Sequence, residues 1–330
     1  MHPAVASLAQ ADFSGFADRF ANAGFQVRLP AKGMLQVTAS NSTTVRPAVL
    51  LSVGVHGDET GPIELLAHLL DDLADKAQAL AVDLLVVVGN IAAIAAGKRY
   101  LDADLNRMFR NERSAVLNAA REAERADQMM RATTAFFSQC GPHRWHLDLH
   151  TAIRPSSYPR FAIVPDIIPE AARKELVTLL GNGDIGAIIR NPKSAGTYSY
   201  FTSEHCQAAG TTVELGRVGV LGQNDLQQFA AMSAAINSLL RGDASLMPQA
   251  AEAPHVFLLA QEIMKLSNDF KMSFDSKTQN FTSLAQGALI AEDGDTRYVV
   301  KHAEEFVVFP NPNVQVGQRA GLMVVREGAV

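Results

Sequence analysis

Between residues 48 and 55 the chain reads AVLLSVGV, a nearly continuous aliphatic and β-branched run of the kind found in a strand covered on both faces. LLVVVG at 84–89, WHLDLH at 145–150, FAIV at 161–164 and TTVEL at 211–215 repeat that texture. Between these runs, apolar residues recur at three- and four-residue spacing: in IELLAHLLDDLADKA after Pro62, from about 113 to 139, near 169–180 and around 226–240. Pro62 falls where a helix tolerates proline, in its first turn. The segment 25–39, FQVRLPAKGMLQVTA, alternates weakly and predicts a β-hairpin leading into the first core strand. Buried strands alternating with helices predict an α/β fold, a mostly parallel or mixed sheet with helices on both faces.

From about Pro254 the texture changes to short β runs, HVFLLAQEI, GALIAED, RYVV, EFVVF and MVV, separated by Gly, Pro and Asn. The expected organisation is a catalytic α/β domain over 1–245 and a smaller β-rich domain over 246–330, joined through the polar segment 242–254. A chain of 330 residues that is 48% hydrophobic has the apolar content to bury a large core, and its length agrees with two domains.

Lys and Arg number 29 against 34 Asp and Glu, a formal charge of -5, so no global field recruits nucleic acid or an anionic membrane. An anionic substrate must then be met by local Arg or Lys. Two cysteines, Cys140 and Cys206, lie outside any CxxC and suit a reducing compartment, where both are expected as buried thiols. The first twenty residues lack a basic region followed by an apolar stretch, and no uninterrupted apolar run reaches membrane-spanning length. A cytoplasmic protein is expected.

His56 and Glu59 follow one predicted core strand in the loop HGDETG, and His150 ends another. Ligands in open α/β sheets gather at the carboxyl ends of strands. Two imidazoles and one carboxylate are a catalytic zinc set, because three protein ligands leave a fourth position open. HxxE by itself arises readily by chance. In the alternative reading His56 and Glu59 serve the helix N-terminus and His150 is a hydrogen-bonded core residue. Asp148 shares a strand face with His150 and is placed to orient it, or to make a plain structural hydrogen bond. His146 reads as a packed core histidine, and Asp58 as a cap for the following helix.

Glu214, near the end of the strand in TTVELG, is costly to bury without a purpose and is the candidate general base. Its alternative is a carboxylate reaching solvent or an Arg partner. RYLDADLNRMF at 99–109 concentrates Arg99, Asp102, Asp104, Asn106 and Arg107 in a stretch too polar for a core strand and too irregular for a helix face. Arg and Asn there suit a substrate carboxylate, and a second Arg suits an oxyanion. A solvated loop with internal Asp–Arg pairs is the alternative.

VGVHGDETGP, RYLDADLNRMF, HLDLHTAIRP and TTVELG together resemble the succinylglutamate desuccinylase branch of the aspartoacylase group, in order and spacing, from about residue 48 to 222. The resemblance implies a zinc carboxypeptidase-like fold with a β-rich C-terminal domain, one zinc per chain held by His56, Glu59 and His150, and a catalytic Glu at Glu214. By the same likeness Arg99 polarises the scissile carbonyl, while Asn106 and Arg107 bind a substrate carboxylate. After the ligand His this chain has Thr151, Ala152, Ile153 and Arg154 where aspartoacylase has an Asn and Thr pair, which argues against aspartoacylase itself. Arg154 then becomes an additional anion contact, or a surface Arg beside Pro155. The implied activity is hydrolysis of N-succinyl-L-glutamate to succinate and L-glutamate in arginine catabolism. Another N-acyl-amino-acid hydrolase, a true carboxypeptidase, or a non-catalytic zinc-binding module remain as rivals. The implied partner is a small polyanionic substrate, and the stretch SAGTYSYF with Lys193 is expected to be a loop closing over it.

Overall fold

A computed structural model describes residues 1–40, 45–275 and 277–328. The hairpin expected near the N-terminus forms from β1 (Phe25–Arg28) and β2 (Met34–Ala39), paired antiparallel. The apolar runs become β3 (Ala48–Val53), β4 (Asp83–Val88), β5 (Arg144–Ala152), β6 (Phe161–Pro165) and β8 (Ala209–Arg217), with β7 (Ala187–Asn191) before β8. Every residue of β3 is buried, as its nearly continuous apolar pattern demands, and the one polar residue, Ser52, is buried with the rest.

Helices α1 (Pro3–Ala9) and α2 (Ser14–Asn22) precede the hairpin, and α3 (Gly61–Asp75) follows β3 with Pro62 in its first turn. The short α4 (Ile91–Ala96) follows β4. The amphipathic stretch 113–139 divides into α5 (Ala115–Asn118) and α6 (Arg121–Ser138), because Ala120 between them is extended. The remaining helices are α7 (Glu170–Asn182), α8 (Tyr198–Cys206) and α9 (Ala230–Arg241).

The sheet is mixed. β4, β3, β5 and β8 run parallel, β6 turns antiparallel to β8, and β7 runs parallel to β6. One apolar cluster joins α1, α2, α3, α7 and α9 to one face, and a second joins α6 and α8 to the other. Helices thus cover both faces, and the central strands are shielded from water on each side. Among the described residues, no helix is long and apolar enough to cross a membrane.

The C-terminal β runs are β9 (His255–Met264), β10 (Lys271–Met272), β11 (Thr282–Ala285), β12 (Leu289–Asp293), β13 (Thr296–Val299), β14 (Glu304–Val308) and β15 (Arg319–Arg326). β9 pairs parallel with β7, so β9, β15, β14 and β11 continue the central sheet to twelve strands, and β10, β12 and β13 form a separate small sheet. The change of texture near Pro254 therefore marks a change in connection length, and the hydrogen-bonded sheet runs through it.

Candidate active site

Register assembles the site. In the parallel ladders Val53 is level with Leu149, and His150 with Glu214. The chain leaving β3 delivers His56 and Glu59 to the edge where β5 presents His150 and β8 presents Glu214. Gly57 lets that loop press on its neighbours, since a Cβ there would stand 2.3 Å from the backbone of Ala93 and Ile94. Its N–H donates to the carbonyl of Arg99 at 3.0 Å, which ties the loop to the segment carrying Arg99.

Glu59 lies between two imidazoles, Oε1 2.7 Å from His56 Nδ1 and Oε2 2.8 Å from His150 Nδ1. The opposite nitrogens also meet carboxylates: His56 Nε2 is 3.0 Å from Asp104 Oδ1, and His150 Nε2 is 2.9 Å from Asp148 Oδ2. A neutral imidazole has one N–H. With the Nε2 protons directed at Asp104 and Asp148, two Nδ1 lone pairs face the Glu59 carboxylate, and a second proton on each ring or a cation must lie between them. The ligand atoms of His56, Glu59 and His150 lie within 4.8 Å of one another. Two imidazole nitrogens, one carboxylate and an outer carboxylate behind each imidazole fit a divalent metal of the zinc type.

The electrostatics follow from burial and neighbours. Burial alone raises the Glu59 carboxyl, but His56 and His150 outweigh it and hold Glu59 well below the usual range. Burial lowers His150, yet Asp148 and Glu59 outweigh that and hold it well above. Glu214 is different. Burial, reinforced by the charge of Glu59, pushes its carboxyl up to about 7, and its Oε2 is buried without a hydrogen-bond partner. A carboxylate with an unmatched oxygen beside this cluster is suited to accept and return a proton near neutral pH.

His146 is a connector. Its Nδ1 lies 2.8 Å from Thr202 Oγ1 and its Nε2 2.8 Å from Ser52 Oγ, and Ser52 Oγ lies 2.5 Å from Asp148 Oδ1. Burial pushes its pKa down to about 4, so it is neutral. Ser52 donates to Asp148, so the single N–H of the neutral ring sits on Nε2 and donates to Ser52, while Thr202 Oγ1 stands between Nδ1 and the Ser199 carbonyl, 2.9 Å away, with one proton for the two. Asp148 then remains an acceptor for His150. The polar row on this face of β3 and β5 is closed by α8, which supplies Thr202 and the ring of Tyr198 against His146.

Arg99 donates from Nη1 to Glu59 Oε1 at 2.8 Å, and its Nη2 lies 3.1 Å from His56 Nε2. Asn106 is buried, its Oδ1 accepting from Tyr198 N at 2.9 Å and its Nδ2 standing 3.5 Å from His150 Nε2. Arg107 is half-buried and donates to the Asn106 carbonyl at 2.7 Å. Arg154 is directed elsewhere, to the carbonyls of Asp275 at 3.2 Å and Thr278 at 3.4 Å in the C-terminal strands' connections.

Three expectations are corrected. Asp58 does not cap α3: Thr60 is the N-cap residue and makes no side-chain cap bond, while Asp58 Oδ1 is buried without a partner and its charge helps hold Arg99 protonated. SAGTYSYF is not a closing loop. Thr197 caps α8, Tyr198 and Ser199 are buried in it, and Lys193 pairs with Glu262 at 3.1 Å. The aromatic and hydroxyl side chains that made the segment look like a lid are turned inward to satisfy the polar row of the sheet. Cys206 is buried, but Cys140 is only half-buried.

Sequence reasoning missed Glu122. This buried residue in the first turn of α6 accepts from the backbone N–H of Leu101 at 2.7 Å and of Asp102 and Ala103 at 3.3 Å, and from Asn90 Nδ2 at 3.3 Å. It holds the bend between Arg99 and Asp104. A Glu at a helix start is ordinary in sequence, and only the fold shows which amides it meets.

The family described as succinylglutamate desuccinylase/aspartoacylase catalytic domain matches residues 45–240, and the AstE/AspA barrel-sandwich hybrid domain matches 252–327. The chain belongs to the succinylglutamate desuccinylase/aspartoacylase family. Within it, the succinylglutamate desuccinylase of Burkholderia orbicola (strain MC0-3) is 46% identical over 289 residues, covering 87% of this chain and 83% of that protein. That of Serratia proteamaculans is 42% identical over 305 residues, covering 92% and 91%. The X-ray structure of the Vibrio parahaemolyticus desuccinylase superposes with a TM-score of 0.82 at 32% identity, covering 92% of this chain and 88% of that one. Family membership makes this chain a hydrolase of the zinc carboxypeptidase-like fold, and His56, Glu59, His150 and Glu214 lie within the catalytic-domain match.

Proposed function

We propose that this protein hydrolyses the amide of N-succinyl-L-glutamate to succinate and L-glutamate, using one zinc ion held by His56, Glu59 and His150. The observation that carries the reading is the buried, unpartnered Oε2 of Glu214 beside the His–Glu–His cluster. The similarity to desuccinylases over most of the chain supports the choice of substrate.

When bound, the metal supplies Lewis acidity and a water acidified towards neutrality. Glu214 takes a proton from the attacking water and returns it to the departing amine nitrogen, so one water is consumed and no covalent intermediate forms. Arg99, kept cationic by Glu59 and Asp104 against the effect of burial, faces the negative charge that builds on the carbonyl oxygen. Asn106 and Arg107 hold a substrate carboxylate. Asp104 and Asp148 keep the two imidazoles oriented. A cytoplasmic place in arginine catabolism completes the reading, in keeping with the free thiols of Cys140 and Cys206.

The test is a substrate panel on metal-loaded protein: N-succinylglutamate, N-acetylaspartate and a dipeptide. The reading expects the largest kcat/KM for N-succinylglutamate, and a larger value for either of the others overturns it.

A further inference from the structure

β15 begins with Arg319, a guanidinium whose side chain is only 15% exposed, although it lies in the C-terminal part of the chain. Its ion pair is long: Nη1 stands 3.5 Å from Glu262 Oε1 on β9, and the other oxygen of Glu262 is bound by Lys193 at 3.1 Å. Lys193 belongs to the connection between β7 and α8, which also runs against the catalytic segment. Gly196 in that connection accepts from Phe109 N at 3.0 Å, and a Cβ on it would stand 2.5 Å from Arg110 Nη2 and 2.6 Å from the Arg107 carbonyl. Arg107 and Asp104 both lie near enough for their charges to act on Arg319; burial and then Arg107 lower its pKa to about 10, opposed by the charge and hydrogen bond of Glu262 and, more weakly, by Asp104.

The local charges do not balance. Arg110 and Lys193 reach solvent, which leaves Arg319 and Arg107 as the shielded cations; Glu262 is shared between Arg319 and Lys193, and Asp104 is already engaged by His56. Like charges crowded into a partly desolvated place cost free energy until an anion enters. The excess stands next to the segment that carries Arg99 and Asn106.

We infer that Arg319 is a specificity-determining residue which, with Arg107, receives a carboxylate of the acyl-amino-acid substrate, so that the C-terminal strands complete the substrate site. This rests on the substrate reading given above. Recognition of a carboxylate by two guanidinium groups is geometrically selective, and neither a neutral acyl-amino acid nor a short peptide amide offers the same charge.

The experiment compares the full-length, metal-loaded wild type with Arg319→Gln and Arg319→Lys on N-succinyl-L-glutamate and on three analogues. N-butanoyl-L-glutamate, N-succinyl-L-glutamine and N-succinyl-4-aminobutyrate each lack one carboxylate charge. Arg319→Gln is expected to raise KM for N-succinylglutamate about 10- to 100-fold, the size of one lost charge-assisted hydrogen bond, with kcat nearly unchanged. Arg319→Lys is expected to recover part of that loss. The penalty should vanish for the one analogue that lacks the carboxylate read by Arg319. A KM within about twofold of wild type, or the same penalty on all three analogues, overturns the inference. Failure of the wild type to cleave N-succinylglutamate would instead overturn the substrate reading, and the same variants on the anionic amide it does cleave would still decide the role of Arg319.

Discussion

The two halves of the proposed catalytic centre are held in different ways. His150 and Glu214 stand level on the paired strands β5 and β8, and His56 and Glu59 follow the end of β3 in a short stretch beside them. Arg99, Asp104, Asn106 and Arg107 stand on a segment with a single 3-10 turn, Leu105–Arg107, and contacts from far along the chain set their places. Glu122 holds the amides of 101–103, Tyr198 holds Asn106, and Gly196 abuts the Arg107 carbonyl. A residue at a strand end is supported by the ladder and the core behind it, whereas a loop-borne group moves with the few bonds that fix it. The first half ought to fail chemically without moving, and the second half ought to fail by moving.

Replacing a strand-borne ligand should have the largest effect. In His150→Ala, elemental analysis is expected to find the bound metal lost and activity lost with it, and unchanged occupancy would remove His150 from the ligand set. Next is Glu214→Gln, expected to lower kcat by about 10²–10⁴-fold while metal content and melting temperature hold. Wild-type kcat/KM should fall as pH drops and the Glu214 carboxyl is protonated. That carboxyl lies near about 7 without a metal, and a cation on Glu59 and the two histidines would move the fall to lower pH. The glutamine variant should lack that acidic limb.

Glu122→Gln breaks the other half. Loss of one acceptor oxygen and the charge is expected to lower kcat about 10-fold through misplacement of Arg99, and the effect should shrink when Arg99 is already Lys. Equal effects in both backgrounds would mean that Glu122 acts on stability alone. A milder test uses pH and metal affinity. His56 and His150 must lose their Nδ1 protons to bind a cation, and both have raised pKa values despite burial, His150 well above the ordinary imidazole value. Protons then compete from higher pH than they would at free imidazole, so the thermal stabilisation by added zinc should grow as pH rises through that range. Arg154→Ala should have the smallest effect, on melting temperature more than on KM, because its donors meet the Asp275 and Thr278 carbonyls.

The strand-borne half was legible in the chain because each ligand follows or ends an apolar run, and apolar runs report buried strands through local burial alone. His56, Glu59, His150 and Glu214 could be named without any pairing information, and the family resemblance sharpened them. The loop-borne half was legible only as composition. RYLDADLNRMF announced Arg and Asn, yet it did not say that Asp104 backs His56 or that Asn106 turns its oxygen to Tyr198. Helix α8 was missed because its apolar and polar residues both face inward, where the sheet itself is polar, so no amphipathic stripe forms.

By itself, then, the sequence determined the core strands and the longer helices, and the strand ends beside which His56, Glu59, His150 and Glu214 would stand. Those properties depend on residue type and on spacing within a few positions. Only the tertiary structure decided that β9 would extend the central sheet, that His146 would serve Asp148 through Ser52, and that Glu122 would hold the amides of 101–103. Each of those joins residues tens to hundreds of positions apart. A carboxylate or guanidinium carries no mark of its distant partner until packing has buried it and made an unmatched charge costly.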